Sequence, residues 1–257
     1  MRQCWWILCI AAASGLFGCS RPQKANCSQI TLGTHAAVTP VPRSDEWWTR
    51  RHQTILEQIP HKNPTVIFIG DSITHGWENK GKAVWEQYYS SYDALNLGYG
   101  GDRTEHVLWR LQNGEIDGIQ PKLAVLMIGT NNAARQQYSA EQIADGIRAI
   151  VCMLREKLPR TKVLILAIFP RGSDEQRRDK TQDASYNPLW AKNDRVNQMI
   201  SKLADGRNIF YLDINKAFLN EQGVLTRQVM PDLLHPEEKG YQIWAEAMDP
   251  TLKRLLK

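Results

Sequence analysis

Five short, mostly apolar runs constrain this chain more than anything else in it. Val66-Ile67-Phe68-Ile69, Ala94-Leu95-Asn96-Leu97, the stretches 123–128 and 163–169, and Ile209-Phe210-Tyr211-Leu212 carry no charge. Each is too short for a helix and reads as a buried strand. Segments with a helical period separate them. Trp48, His52, Ile55, Leu56 and Ile59 form a stripe behind Asp45, a suitable cap, and Pro60 ends it. Val107, Leu108 and Leu111 mark a helix over 103–113 that stops at Gly114. Ile143, Ile147, Ile150, Leu154 and Leu158 mark another over 140–158, and Val196, Met199, Ile200 and Leu203 one over 189–204. The last, from 237, carries Tyr241, Trp244, Met248, Leu252 and Leu255, with Pro250 expected to kink it. The stretch 72–90 is helix or loop, and the charged stretch 171–188 has no period and reads as a long loop. Strands alternating with helices predict one α/β domain, a parallel sheet covered on both faces with right-handed crossovers.

Three of the runs end in small polar or glycine-rich turns: Gly70-Asp71-Ser72, Gly98-Tyr99-Gly100-Gly101 and Gly129-Thr130-Asn131-Asn132. In a parallel sheet those ends share one edge, where open α/β sheets hold ligands. Ser72 there either caps the next helix or acts as a nucleophile. At Gly101 the absent side chain lets a backbone amide approach a ligand, and Asn131 offers a side-chain amide donor. A nucleophile beside N–H donors is the layout that acyl transfer needs.

A base must come from one of six histidines. His35 lies in the N-terminal stretch, His52 on the first helix, His61 ahead of the first strand and His106 at a helix start. His75 is too close to Ser72 in sequence for a tight turn to orient it well. His235 stands in Pro231-Asp232-Leu233-Leu234-His235-Pro236, so one turn can bring Asp232 beside it. Such a pair is either a base with its orienting acid or a surface pair at a helix start. Two other readings fail on spacing. The glycine turn at 98–101 has Arg103 where a dinucleotide loop needs its last glycine, and Gly70-Asp71-Ser72 has Thr74 where a hydrolase elbow needs its second.

The net charge of +5, with basic residues spread along the chain, is no nucleic-acid footprint. Arg2 followed by an uncharged, mostly apolar run over 5–17 reads as an export signal. Leu16-Phe17-Gly18-Cys19 resembles the bacterial lipobox, whose cysteine is lipidated. The expected organisation is a signal over 1–19 ending at Cys19, a flexible tether over 20–43, and a catalytic domain over 44–257 on the outer side of a bacterial membrane. Cys4 and Cys9 belong to the signal, and Cys152 lies half a turn off its helix's stripe, which predicts a surface thiol. A bridge from Cys27 to Cys152 stays open, and no metal spacing emerges.

In order, Gly-Asp-Ser at 70–72, the glycine turn at 98–101, Gly-Thr-Asn-Asn at 129–132 and Asp-x-x-His at 232–235 resemble the four blocks of the SGNH, or GDSL-type, hydrolases. Within that family, residues 95–115 and Phe169-Pro170-Arg171-Gly172 are similar to the catalytic subunits of brain-type platelet-activating factor acetylhydrolase. The resemblance implies a three-layer, flavodoxin-like fold with five parallel strands. It implies Ser72 as nucleophile, His235 as base and Asp232 as orienting acid. The Ser72 and Gly101 amides and the Asn131 side chain are implied as the oxyanion hole, with no metal or other cofactor. The stretch 173–187 is longer than in those subunits, so the pocket is expected to differ. The expected substrate is a small ester with a short, acetyl-type acyl group, such as an acetylated carbohydrate; a lipid ester is the alternative and a non-catalytic binding module a third reading. A lipid anchor is the expected membrane contact, no nucleic-acid partner is expected, and a homodimer is among the assemblies left open.

Overall fold

The computed structural model describes residues 33–257. The expected signal, Cys19, Cys27 and the tether before residue 33 lie outside the described residues. Five strands form one parallel sheet: β1 (Val66–Gly70), β2 (Leu95–Gly98), β3 (Leu123–Met127), β4 (Lys162–Leu166) and β5 (Ile209–Leu212). Their order is β2-β1-β3-β4-β5, with Gly70 beside both Gly98 and Met127. The chain steps outward from β1 to β2, then crosses back to β3. That reversal opens a crevice beyond the carboxyl ends of β1 and β3.

Both faces are covered, as the uncharged strands require. Successive side chains of a strand point to opposite faces. Ile67 and Ile69 therefore join one core, with Trp48 and Ile55 of α1 (Glu46–Gln58), Val107 and Leu111 of α4 (Thr104–Gln112), Ile143 and Ile150 of α6 (Ala140–Lys157) and Val196 of α8 (Pro188–Ile200). Val66 and Phe68 join the other, with Tyr89 of α3 (Lys82–Tyr89) and Trp244 and Met248 of α9 (Glu238–Leu256). Each fully buried Val, Ile or Phe of β1 contributes about 1.5–3 kcal/mol. Two very short helices, α2 (Ser72–His75) and α5 (Thr130–Ala133), follow β1 and β3 at the crevice. No helix among the described residues is long and apolar enough to cross a membrane.

Three expectations are corrected. The tether does not extend over its described end: Ala37 is buried, Thr104 donates to its carbonyl, and the Val41 amide bonds to Glu105. Residues in the 173–187 stretch form a helix, α7 (Asp174–Arg178), capped by Ser173 with Gln176 reaching back. That capping pair is visible in the sequence, but no apolar stripe accompanies it. Cys152 is half-buried and disulfide-bonded rather than a surface thiol, and every other cysteine lies outside the described residues. Helical spacing places it off the core face but says nothing of what covers it. The last helix, α9, runs through Pro250 as one element.

Candidate active site

The helix α2 begins at Ser72, but Asp71 caps it: the Asp71 carboxylate accepts from the Ile73 amide at 3.0 Å. That decides between the two readings of Ser72, because its hydroxyl is left for another partner. The carboxylate of Asp71 is fully buried, and burial pushes its pKa up to about 7 against the Ile73 hydrogen bond. Glycine is required just before it. A Cβ on Gly70 would sit 2.1 Å from Thr74 Oγ1 and 2.5 Å from the Met127 carbonyl oxygen.

Ser72 Oγ lies 2.8 Å from His235 Nε2, and His235 Nδ1 lies 2.8 Å from Asp232 Oδ2. An ionised carboxylate only accepts hydrogen bonds, so Nδ1 carries the proton and donates to Asp232. Nε2 then holds the lone pair that accepts from Ser72. Asp232 is kept ionised. Burial pushes its pKa up, but hydrogen bonds from the His235 ring and amide, with the charge of Arg177, hold it well below the ordinary carboxylate range. Arg177 comes from α7: Nη2 donates to Asp232 Oδ2 at 3.1 Å and Nε to the Asp232 carbonyl at 3.0 Å. Arg227 stitches the same wall, donating to the carbonyls of Gln176, Asp179, Gln182 and Pro231.

The opposite wall is the turn after β2. Gly101 has φ of +77°, a left-handed backbone that other residues adopt only with strain. Among the described residues its amide has no hydrogen-bond acceptor. Asn131, in α5, donates from Nδ2 to the Asp102 carbonyl at 2.9 Å, which ties the two strand ends together and leaves its second N–H uncommitted. Beneath this turn lies a buried ionic cluster. Asp102 accepts from Arg110 Nε and from Trp48 Nε1, each at 2.8 Å. Arg110 also pairs with Glu115, which accepts from Tyr99 and lies 3.0 Å from His52 Nδ1. Burial raises the Asp102 pKa to about 6 despite the opposing charge of Arg110.

Two other histidines near these turns are engaged elsewhere. His75 stacks on Trp47, and His106 accepts from the Arg103 amide at the start of α4. The structure thus brings Ser72, Asp232 and His235 into one line of hydrogen bonds and sets Gly101 and Asn131 side by side; Cys19 lies outside the described residues. Sequence reasoning missed Arg177, which lies in a charged, aperiodic stretch, Arg227, in a stretch assigned to no element, and Arg43, assigned to the tether. Arg43 Nη1 donates to the Gly100 carbonyl at 2.6 Å. No group of three or more His, Cys, Asp or Glu that could hold a metal occurs among the described residues.

A serine hydroxyl, an imidazole and a carboxylate in line at the carboxyl edge of a parallel sheet are the arrangement of hydrolases that work through a serine. The chain belongs to the GDSL-like lipase/acylhydrolase family, whose model matches residues 68–243, and it is a carboxylic ester hydrolase. It is similar to the bovine platelet-activating factor acetylhydrolase IB subunit alpha1, 37% identical over 218 residues that cover 83% of this chain and 86% of the bovine protein. Solved structures share the fold. A GDSL-like lipase from Bacteroides thetaiotaomicron has a TM-score of 0.63 at 20% identity, covering 80% of this chain and 97% of that one. A mutant of an acetyl-xylooligosaccharide esterase from Geobacillus stearmophilus has a TM-score of 0.55 at 19% identity, covering 76% and 94%.

Proposed function

We propose that this enzyme hydrolyses short-chain, acetyl-type esters through an acyl-enzyme on Ser72. His235 takes the Ser72 proton as the hydroxyl attacks the ester carbonyl, and Asp232 holds the imidazole in the tautomer that can accept it. The Ser72 and Gly101 amides and the second N–H of Asn131 receive the negative charge of the tetrahedral intermediate. His235 then gives its proton to the leaving alcohol, and on the second half-reaction it activates water to release the acid. The observation that carries this reading is the unbroken hydrogen-bonded line from Ser72 Oγ through His235 to Asp232, each link 2.8 Å.

The acetyl preference is supported by the name of the acetylhydrolase relatives. A carbohydrate as the alcohol part is favoured by the cleft that adjoins Gly101 and Asn131, whose lining is chiefly charged and polar. A lipid alcohol is the second reading, favoured by the same relatives, whose name specifies platelet-activating factor. A panel of nitrophenyl esters of rising chain length, run beside acetylated sugars, separates them. Rates falling beyond acetyl or propionyl, with release of acetate from the sugars, are expected; rates rising with chain length would favour the lipid reading and count against the first.

We further infer export and lipidation at Cys19, from Arg2, the apolar run over 5–17 and the lipobox-like residues before Cys19. Labelled fatty acid should enter the wild-type chain and not the Cys19→Ser variant; equal labelling would contradict it.

A further inference from the structure

Beside Gly101 and Asn131 a cleft of about 710 Å³ opens, walled by Arg43, Arg103 and Arg135, with Asp45 the acidic residue in its lining. Neither Ser72 nor His235 lines it, so it adjoins the reacting atoms instead of enclosing them. The N-terminal segment that packs on the domain supplies Arg43, whose Nη1 stands 2.9 Å from where a Cβ on Gly101 would lie. Asp45 is already engaged, accepting from Arg43 Nε at 2.9 Å. Arg103 is offset by Glu105, which accepts from its Nε at 2.5 Å. Arg135 is exposed, and among the described residues its guanidinium has no partner. Outside the lining, the Lys192 ammonium donates to the Ala133 and Arg135 carbonyls and so holds the backbone that carries Arg135. His106, also in the lining, has its pKa lowered to about 4 by burial and then by Arg103, so it adds no charge near neutrality.

With Arg43 facing Asp45 and, at 3.7 Å, Asp102, and Arg103 facing Glu105, the unpaired Arg135 guanidinium is the positive charge left over on a wall rich in N–H donors. A neutral sugar, whose hydroxyls both donate and accept, does not need that excess. A planar carboxylate or a phosphate does, because its oxygens only accept and match the fork of a guanidinium. An acetyl group has no room for a charge, so the charge must be on the other side of the ester bond. We propose that this cleft binds an anionic group, a carboxylate or a phosphate, on the alcohol part of the ester. The proposal deepens the esterase reading and rests on it.

The test compares three acetylated substrates with the full enzyme: methyl glucoside, methyl glucuronoside and glucose 6-phosphate. The ratio of kcat/KM for an anionic over the neutral substrate should be on the order of tenfold, expressed mainly in KM, as for binding realised before the chemical step. It should shrink with added salt and approach one in the Arg43→Gln plus Arg135→Gln double variant. Circular dichroism should report an unchanged fold in that variant. The larger ratio of the two anionic arms identifies the carboxylate or the phosphate. A ratio of one, with the neutral acetate hydrolysed and Ser72→Ala inactive, overturns the anionic cleft while leaving the esterase reading intact. A preference that persists in the folded double variant overturns its assignment to these arginines. Failure to hydrolyse any ester, nitrophenyl acetate included, overturns both.

Discussion

The two walls of the site are held by different physics. Under the Gly101–Asn131 wall lie Asp102, Arg110 and Glu115, whose side chains are 0% exposed. On the other wall the side chains of Asp232 and His235 are 37% and 41% exposed, and Arg177 braces them from a short surface helix. Charges taken fully out of water are costly to isolate, so a buried cluster fails as a unit when one member is lost. Half-exposed pairs are screened and individually weak. The cluster beneath the first wall is thus part of the fold, and its failure will show as lost stability. The second is an adjustable brace, and its failure will show as lost rate in a protein that still folds.

The largest effect expected spans both walls. Ser72→Ala should lower kcat on the order of 10⁶-fold with an unchanged melting temperature, as for other serine nucleophiles; retained turnover would mean another nucleophile. Next, Arg110→Met leaves Asp102 and Glu115 buried without their cation and should cost about 3–5 kcal/mol, read by urea unfolding. A loss under about 1 kcal/mol would erase the contrast between the walls. Asn131→Ala should lower kcat by about 10²–10³-fold with little change in KM; an effect confined to KM would remove it from the oxyanion hole.

Asp71, which caps α2 beneath Ser72, adds a pH dependence. Its folded pKa of about 7 lies above the unfolded carboxyl value, so the folded state binds more protons between those limits and stability falls as pH rises through that window. In Asp71→Asn that part of the slope should vanish, raising stability at pH 8 relative to wild type by on the order of 4 kcal/mol. Parallel stability curves for the two proteins across pH 4–8 would contradict it. The smallest effect is on the outer wall. Arg177→Ala should lower kcat about tenfold while costing less than about 1 kcal/mol in unfolding, because its partner is part-exposed. Stability lost without rate would assign Arg177 to the fold instead.

Much of this was legible from residue order. The strands announced themselves because a sheet covered on both faces leaves no position for charge, and Ser72, Gly101 and Asn131 followed as ends of neighbouring strands. His235 and Asp232 were legible through their spacing of three. The residues that brace them were not. Arg177 lies in a stretch with no apolar period, since a helix of one turn held by capping and surface bonds needs none. Arg43 follows a proline-rich stretch that looks like tether, and only the burial of Ala37 and the bonds to Gly100 and Glu105 draw it onto the domain. The cluster around Arg110 was invisible because charge in a helix pattern reads as solvent-facing, and nothing local says that Asp102 and Glu115 fold back onto it.

The central claim is that Ser72 is made nucleophilic by His235, and active-site labelling tests it most directly. A fluorophosphonate should modify the peptide carrying Ser72 in the wild-type enzyme, and this labelling should be lost in the His235→Ala variant. Labelling at another residue, or none while nitrophenyl acetate is still hydrolysed, would contradict the account.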